Sequence, residues 1–518
     1  MQRINNDRSE HGFLKNNNMD EREVPRAIIL VVMSLVTAVY LCALTVVNVA
    51  LPQMQGALSA TPDQISWVIT LNLVATAIAT PLTGWLVAKW GQRKVLIWCV
   101  GGFSITTYLC ATVSSLEPLL VYRIGQGAFG APLVPIAQAV ILNAYKEPDK
   151  RAVAMGIWGM SVVIGPGIAP ALGGYMAEEY SWRWTFYLLL PVSLAALLGV
   201  VAFIKESSNA TISKLNWTGF IALSIAVTCF QIILDRGERL DWFESTGILI
   251  LGLVLLLSFY LFLMNSLYSK NPFIKPQLFT DRNFSLGLFF VFVYGMLNVT
   301  PTVLLPTMLQ DYVGYPDSDI GFILAMRSVG IFLGFLVAPK LSQIDPRYCM
   351  ALGLFAIGVS GVISATFNSQ ITVSFVSWVG VLQGLGCGLL WIPLSLVTFA
   401  TLRENLMADG TAFFHLIRNY GSSIFIALNV LVVLRTSKIN NSELSEIANP
   451  YNERLTLPDA ENSFNLNTTE GLLLLAQEIT DQAVMIGYLN SFILYALGAL
   501  LPIPLLALIR KNSPSQKS

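Results

Sequence analysis

Three arginines and one histidine stand inside long apolar blocks of a sequence that is otherwise poor in charge. They are Arg123, Arg327, Arg418 and His415. A charge at the centre of a lipid bilayer costs at least ~2.5 kcal/mol, so each arginine needs a partner, water or an interior cavity. Such a residue can hold an anionic group or respond to a proton. Alternatively, it can clamp backbone carbonyls where two helices meet.

Carboxylates are missing from the middle of these blocks. The acidic residues nearest to them, such as Asp235, Asp319 and Asp409, lie near the block ends. His415 is therefore the one group inside the blocks that ordinarily titrates near neutral pH. A lone histidine at such a place can also be a hydrogen-bonding core residue, and both interpretations stay open.

The composition places these residues in a membrane protein. Of 518 residues, 54% are hydrophobic and 12% are charged, about half the charged share of a soluble chain. Fourteen apolar segments are long enough to cross a bilayer, which takes roughly 20 residues. This composition excludes a soluble enzyme, a nucleic-acid binder and a disordered scaffold. With two histidines and no C-x-x-C pair of cysteines, we expect no metal site and no cofactor.

The basic residues predict the orientation of the chain. If the N-terminus is cytoplasmic, 22 of the 31 Lys and Arg residues fall in cytoplasmic tails and loops, 6 on the opposite side and 3 inside the spans. This bias predicts that both termini are cytoplasmic.

The segments predict five parts of the chain. These are a cytoplasmic tail at 1–26, a six-helix bundle at 27–204, two inserted helices at 216–265, a second six-helix bundle at 285–509 that includes a periplasmic loop at 435–486, and a cytoplasmic tail at 510–518. The loop is long and polar, which suits either a partner-docking element or a flexible tether.

Two further patterns involve glycine and proline. An internal echo relates the fourth and twelfth segments, where Gln126-Gly127 and Gln383-Gly384 each precede another glycine and a proline. Repeated halves are common among transporters. The fifth segment is rich in glycine and proline. It is either a tightly packed, kinked helix or a flexible helix that seals a transport path. Its members include Gly165, Pro166, Gly167, Pro170, Gly173 and Gly174.

Several motifs together resemble the fourteen-helix drug:proton antiporters of the major facilitator superfamily, of the EmrB/QacA type, over nearly the whole chain. Residues 44–52 resemble the opening motif, 119–130 the arginine motif of the fourth helix, 165–174 the antiporter motif and 182–186 the entry to the sixth helix. Residues 84–94, with Gly84, Gly91, Arg93 and Lys94, resemble the cytoplasmic gate loop. Residues 231–243 and 476–482 are similar to EmrB members of that family.

The resemblance implies an all-α integral membrane protein with the major facilitator fold, in which two six-helix halves plus two inserted helices rock about a midplane cavity. It implies that the protein is not an enzyme but a proton-driven exporter in the inner membrane, with drugs or other amphipathic or hydrophobic compounds as substrates. It also implies two partners, a periplasmic membrane-fusion adaptor and an outer-membrane channel. The alternative on the same fold is an exporter of a specific anionic metabolite, fatty acid or siderophore. A membrane-embedded enzyme would need a catalytic cluster of His or Asp, which is not found.

The expected site residues come partly from these motifs and partly from the polar residues inside the apolar segments. We expect Arg123 to be the electrostatic centre, and His415 and Arg418 to take part in coupling. Uncharged hydrogen bonds are expected from Asn48, Gln126 and Gln138. The family usually carries an acidic residue where this chain has Ala43, and its gate loop usually carries Asp where this chain has Ala88. Coupling would then use either His415 or a proton carried by the substrate itself.

Overall fold

The computed structural model describes residues 25–206, 215–237, 240, 242–269, 272–274, 276–403, 406–447, 452, 464 and 468–509. The predicted tails at 1–26 and 510–518 lie outside the described residues, apart from residues 25 and 26. Within the described part, thirteen helices are long and apolar enough to cross a membrane, and one bent helix pair supplies a fourteenth span. The predicted all-helical membrane fold is confirmed.

The first bundle consists of nine helices among the described residues, because two spans are divided by prolines and the sixth begins with a short turn. They are α1 (Arg26–Ala57), α2 (Pro62–Ala79), α3 (Thr83–Trp90), α4 (Gln92–Thr112), α5 (Leu116–Gly130), α6 (Leu133–Ala144), α7 (Pro148–Glu179), α8 (Trp184–Tyr187) and α9 (Leu189–Phe203). Pro81 lies in the break between α2 and α3, which are bent by 52°, and Pro132 lies between α5 and α6. A proline has no N–H to donate, so each break loses a backbone hydrogen bond.

The second bundle follows two inserted helices, α10 (Trp217–Arg236) and α11 (Thr246–Tyr268). It consists of α12 (Gln277–Thr280), α13 (Arg282–Met308), α14 (Asp317–Ile344), α15 (Pro346–Ser364), α16 (Val373–Phe399), α17 (Met407–Ile447) and α18 (Thr469–Leu500). A 3-10 turn at Trp242–Glu244 lies between α10 and α11. A π turn at Leu309–Val313 follows α13, and a 3-10 turn at Ile503–Leu508 follows α18.

The inserted helices lie beside the seam between the two bundles. Arg236, at the end of α10, stacks 4.2 Å above the ring of Trp67 in α2. On the same helix, the ring of Phe230 lies 5.4 Å from that of Tyr420 in α17. Helix α10 therefore contacts one helix of each bundle. Helix α11 packs on α10 and exposes most of its leucines, as expected for a helix that faces lipid.

The segment predicted as a loop at 435–486 is helical at both ends, which corrects that expectation. Helix α17 continues to Ile447 and α18 already begins at Thr469. The two helices pack against each other: Asn441 donates to Thr480 Oγ1 at 3.1 Å. A Cβ on Gly487 would lie only 2.7 Å from the Val433 carbonyl oxygen, so glycine permits the close approach. Polar composition alone did not reveal this antiparallel pairing.

Helices α14 and α16 pack backbone to backbone. A Cβ placed on Gly388 would lie 2.8 Å from the Cα of Gly334, and a Cβ on Gly334 would lie 2.7 Å from the Leu385 carbonyl oxygen. Lipid tails are as apolar as the side chains, so helices in a bilayer gain most by such close van der Waals contact.

Replacing Gly388 with alanine should lower the apparent melting temperature of the detergent-purified protein by several degrees. The added methyl group would overpack the α14–α16 contact, which typically costs ~1–3 kcal/mol. Gly252→Ala is the matched control, because a Cβ there meets nothing within 4 Å. Equal melting temperatures for the two variants in a thermal-shift assay would contradict this account of the packing.

Candidate transport site

Arg123 is buried in the first bundle, with 2% of its surface exposed, and protein groups accept its hydrogen bonds. Its Nε donates to the carbonyl oxygen of Val68 in α2 at 3.1 Å, and its Nη1 donates to Gln126 Oε1. The amide of Asn72 in turn donates to the Arg123 carbonyl oxygen at 2.9 Å. The amide of Gln126 donates to Thr107 Oγ1 at 2.7 Å. Arg123 therefore clamps α2 to α5.

Arg327 holds an equivalent place in the second bundle and is also buried, with 7% exposed. Its Nε donates to Gln383 Oε1 at 2.9 Å. Its Nη2 donates to the carbonyl oxygen and to Oδ1 of Asn298, at 2.6 and 3.1 Å. These acceptors belong to α16 and α13, so Arg327 joins three helices of one bundle.

The repeated Gln-Gly pairs of the two bundles make equivalent contacts in the structure. Each glutamine accepts a hydrogen bond from a buried arginine. Each following glycine allows a close backbone approach: a Cβ on Gly127 would overlap the carbonyl oxygen of Asn72, and a Cβ on Gly384 would overlap that of Arg327. Asn72 and Arg327 stand equally far from the starts of α2 and α14. The two bundles thus share one packing arrangement.

A polar contact joins the two bundles near the start of α17 and the middle of α6. His415 Nε2 in α17 lies 2.7 Å from Gln138 Oε1 in α6, and both residues are buried. The Gln138 amide also donates to Ser395 Oγ in α16 at 3.5 Å. With Gln138 in this orientation, His415 carries its proton on Nε2. Its Nδ1 is buried and has no hydrogen-bond partner among the described residues.

Aromatic rings surround this contact. Trp158 of α7 stacks on Trp391 of α16 with the ring centroids 6.4 Å apart, and both rings are fully buried. Trp158 also donates through Nε1 to Thr37 Oγ1 at 2.9 Å. Tyr294 lies 4.8 Å from Trp391, and Phe414 packs against the other edge at 5.7 Å. The centre of the molecule is therefore a cluster of rings shared by both bundles.

Arg418 lies one turn after His415 and differs from the other two arginines. Its guanidinium carbon lies 5.8 Å from the centroid of the Trp391 ring. Its recorded hydrogen bonds go to Oδ1 of the neighbouring Asn419, at 3.1 and 3.4 Å. The side chain is partly exposed. Its charge faces the aromatic cluster without an ion pair among the residues that the structure describes.

The glycine-rich segment is a continuous helix, α7, packed on both bundles. A Cβ on Gly165 would lie 3.1 Å from Cys42 Sγ of α1, and a Cβ on Gly173 would overlap Val46. Gly167 approaches Ser328 of α14, with 3.4 Å between its Cβ position and the hydroxyl oxygen. Pro166 and Gly174 are partly exposed, and the side chain of Pro170 lies outside the described residues.

The gate-loop motif lies where α3 meets the start of α17. A Cβ on Gly84 would overlap the carboxylate of Asp409, in the first turn of α17. Gly91 has a φ of 82°, a backbone conformation that glycine adopts without strain. Arg93 donates to the carbonyl oxygen of Val201 at 2.8 Å, whereas Lys94 is exposed.

The predicted site residues thus separate into three places. Gln138, His415 and Arg418 meet at the contact between the bundles, whereas Arg123 and Gln126 form a clamp inside the first bundle. Asn48 is exposed on the second half of α1. Sequence reasoning missed Trp158, Trp391, Asn72, Asn298 and Gln383 as partners of the predicted residues. The Gln-Gly echo already contained the signal for Gln383.

Comparison with known proteins identifies the fold family. The family model described as Major Facilitator Superfamily matches residues 33–426. The chain belongs to this superfamily. The multidrug export protein EmrB of Haemophilus influenzae is 31% identical over 92% of this chain and 94% of its own length. The fatty acid resistance protein FarB of Neisseria gonorrhoeae is 29% identical over 93% of this chain and 96% of its own.

Solved structures agree on the fold. The human organic anion transporter MFSD10 covers 93% of this chain and 99% of its own, with a TM-score of 0.61 at 13% identity. A point mutant of the nucleoside transporter NupG gives a TM-score of 0.52 at 12% identity over 94% of this chain and 100% of its own. Together with the family match, the helices make this chain a multi-pass membrane transporter and not an enzyme.

Arg123→Lys should lower the apparent melting temperature of the purified protein. Lysine keeps the charge but loses the planar fork that reaches Val68 and Gln126 together. A hydrogen bond from a charged group contributes roughly 1.5–3 kcal/mol. Arg282→Lys is the matched control, because Arg282 is exposed at the start of α13. The clamp assignment fails if both variants unfold at the temperature of the unmodified protein.

Proposed function

We propose that this chain is a proton-driven exporter of amphipathic or hydrophobic compounds in the inner membrane, with both termini in the cytoplasm. The observation that carries the proposal is the contact between the two bundles through Gln138 and His415 inside a shared aromatic cluster. Alternating access requires the bundles to rock against each other about such a midplane region. The EmrB relatives are named as multidrug export proteins.

The aromatic cluster suits substrates of varied shape. Large rings provide apolar contact area and tolerate different ligand orientations, as polyspecific sites require. The rings come from both bundles, since Trp158 belongs to the first and Trp391 and Tyr294 belong to the second. Rocking would separate them and open the space for a substrate.

The contacts between the bundles favour a transporter closed at the predicted cytoplasmic face. On that face, Gly84 meets Asp409, and deeper in the molecule, beside the aromatic cluster, Gly159 of α7 lies against the ring of Phe335 of α14, with 3.0 Å between its Cβ position and the ring. On the opposite half of α1, Asn48 is exposed. Asn48 would then meet substrates that leave toward the periplasm.

Proton coupling has two candidate routes, as the sequence indicated. Ala43 is buried where the family usually carries an acid. His415 has an unpartnered Nδ1 among the described residues, but Arg418 stands one turn away and opposes a second positive charge. In the second route, the substrate itself carries the proton.

An exporter of a specific anionic metabolite, fatty acid or siderophore is the second candidate. One observation favours it: the positive charge of Arg418 at the bundle contact has no ion pair among the described residues. FarB, a relative of similar length, is named for fatty acid resistance.

Proteoliposomes that contain the purified protein should transport the amphipathic dye Hoechst 33342 when a pH gradient is imposed. Transport should stop when an ionophore collapses that gradient, because the proton flux supplies the energy. His415→Gln should uncouple transport from the gradient if His415 carries the proton, and should leave coupling intact if the substrate carries it. Dye movement at the same rate with and without the gradient would refute proton coupling.

The hairpin of α17 and α18 is the surface proposed to bind a periplasmic adaptor that continues to an outer-membrane channel. Polar residues at 477–482 separate the tip from the membrane-spanning part of α18, and the helix from Thr469 to Gln482 extends about 21 Å. Three consecutive leucines near the tip, Leu472, Leu473 and Leu474, are exposed by 51, 67 and 49%. An exposed apolar patch outside the lipid marks an interaction surface.

Replacing Leu472, Leu473 and Leu474 with serine should abolish co-purification with a membrane-fusion adaptor that is co-expressed from the same source. Dye binding by the purified variant should persist, because the patch is far from the aromatic cluster. The matched control replaces the same residues with methionine, which keeps the apolar surface. Retention of the adaptor by the serine variant would place docking elsewhere.

A further inference from the structure

We propose that Arg418 is the anchor for the anionic group of a substrate, a carboxylate held beside Trp391 between the two bundles. The inference rests on the proposed export function and adds a substrate class to it. Among the three arginines inside the spans, the sequence singles out Arg123 by its motif, whereas the hydrogen bonds of the structure single out Arg418.

Two of these arginines donate to acceptors on other helices of their own bundle. Arg123 and Arg327 are buried, Arg123 donates to Val68 of α2, and Arg327 donates to α13 and α16. Removing either from its partners would leave a charge unsatisfied inside apolar surroundings, which is costly. Both groups therefore hold helices together.

Arg418 keeps donors available. A guanidinium has five N–H donors. The recorded bonds of Arg418 engage Nε and Nη2, and both go to the single oxygen of Asn419 at 3.4 and 3.1 Å. No carboxylate forms an ion pair with Arg418 among the residues that the structure describes. A charge in the middle of a span needs a counter-charge, and a bound anion supplies it.

Two buried polar atoms next to Arg418 also lack partners among the described residues. These are Nε1 of Trp391 and Nδ1 of His415, in side chains exposed by only 1 and 2%. The two rings lie 6.2 Å apart, and the guanidinium lies 5.8 Å from the Trp391 ring. The indole Nε1–H is a donor that a ligand oxygen can satisfy, whereas Nδ1 of His415, with the proton on Nε2, is an acceptor and suits a hydroxyl group or water.

The chemistry of these groups selects the ligand. The guanidinium and the indole N–H both donate, so they suit a carboxylate, which accepts hydrogen bonds and carries the opposite charge. The stacked rings of Trp158 and Trp391 and the ring of Tyr294 favour an apolar or aromatic body attached to it. The substrate class is thus an amphipathic carboxylate.

The test compares binding of 1-naphthoate with binding of its neutral amide, 1-naphthamide, to the purified full-length protein in nanodiscs, followed by tryptophan fluorescence. The two probes share one ring system and differ in charge. In the unmodified protein the carboxylate should bind at least about ten-fold more tightly than the amide, the preference expected of a charge-assisted hydrogen bond. In Arg418→Gln the ratio of the two Kd values should fall to near one.

Three further variants sharpen the result. Arg418→Lys should give an intermediate ratio, because the charge remains but the fork is lost; it also carries the test if the glutamine variant fails to fold. Trp391→Phe should lower the ratio through loss of the indole donor. Arg282→Gln removes an arginine at the start of α13 and should keep the ratio of the unmodified protein.

The outcomes separate this proposal from the export function. A carboxylate preference that survives in Arg418→Gln, or no preference in the unmodified protein, overturns the anion site. If the unmodified protein moves Hoechst 33342 but shows no carboxylate preference, export stands and the anion site falls. If naphthoate binds with the predicted ratio while no dye moves under a pH gradient, the anion site stands and the export proposal falls.

Discussion

Hydrogen bonds from buried arginines to carbonyl and amide oxygens hold together helices that would otherwise meet through apolar contacts alone. In a bilayer such contacts carry little preference, since lipid tails are as apolar as leucine. A guanidinium cannot remain there unsatisfied, so it fixes the helices that carry its acceptors. Arg123 fixes α2 against α5, and Arg327 fixes α14 against α13 and α16. The two bundles can then move as rigid bodies.

The same arrangement shows where the halves of the molecule have diverged. Gln126 and Gln383 occupy matching positions, and so do Asn72 and Arg327. In the second bundle the arginine comes from the position that holds Asn72 in the first, where the arginine comes instead from α5. In both bundles one buried arginine donates a hydrogen bond to the side-chain oxygen of the matching glutamine. Arg418 lies outside this pattern, which is consistent with a role other than joining helices within a bundle.

The sequence predicted the spans and the fold well, because twenty apolar residues in a row leave few alternatives in a bilayer. It predicted the site less completely. The sequence singled out Arg123 by its motif, but only the positions of Val68, Gln126 and Asn419 in space show that Arg123 is clamped between helices and Arg418 is not. Polar residues at 435–447 suggested a loop, but their helix is stabilised by a partner helix far along the chain. Contacts of this kind have no local signature.

Helix α17 runs without interruption from Met407 to Ile447. Its 41 residues form a rod about 60 Å long. His415 and Arg418 lie near one end of this rod, and the hairpin tip lies at the other. If the rod pivots by about 10° at His415, the tip moves sideways by roughly 8 Å. The length of the helix thus multiplies any small rotation at the centre into a displacement of several ångströms at the tip.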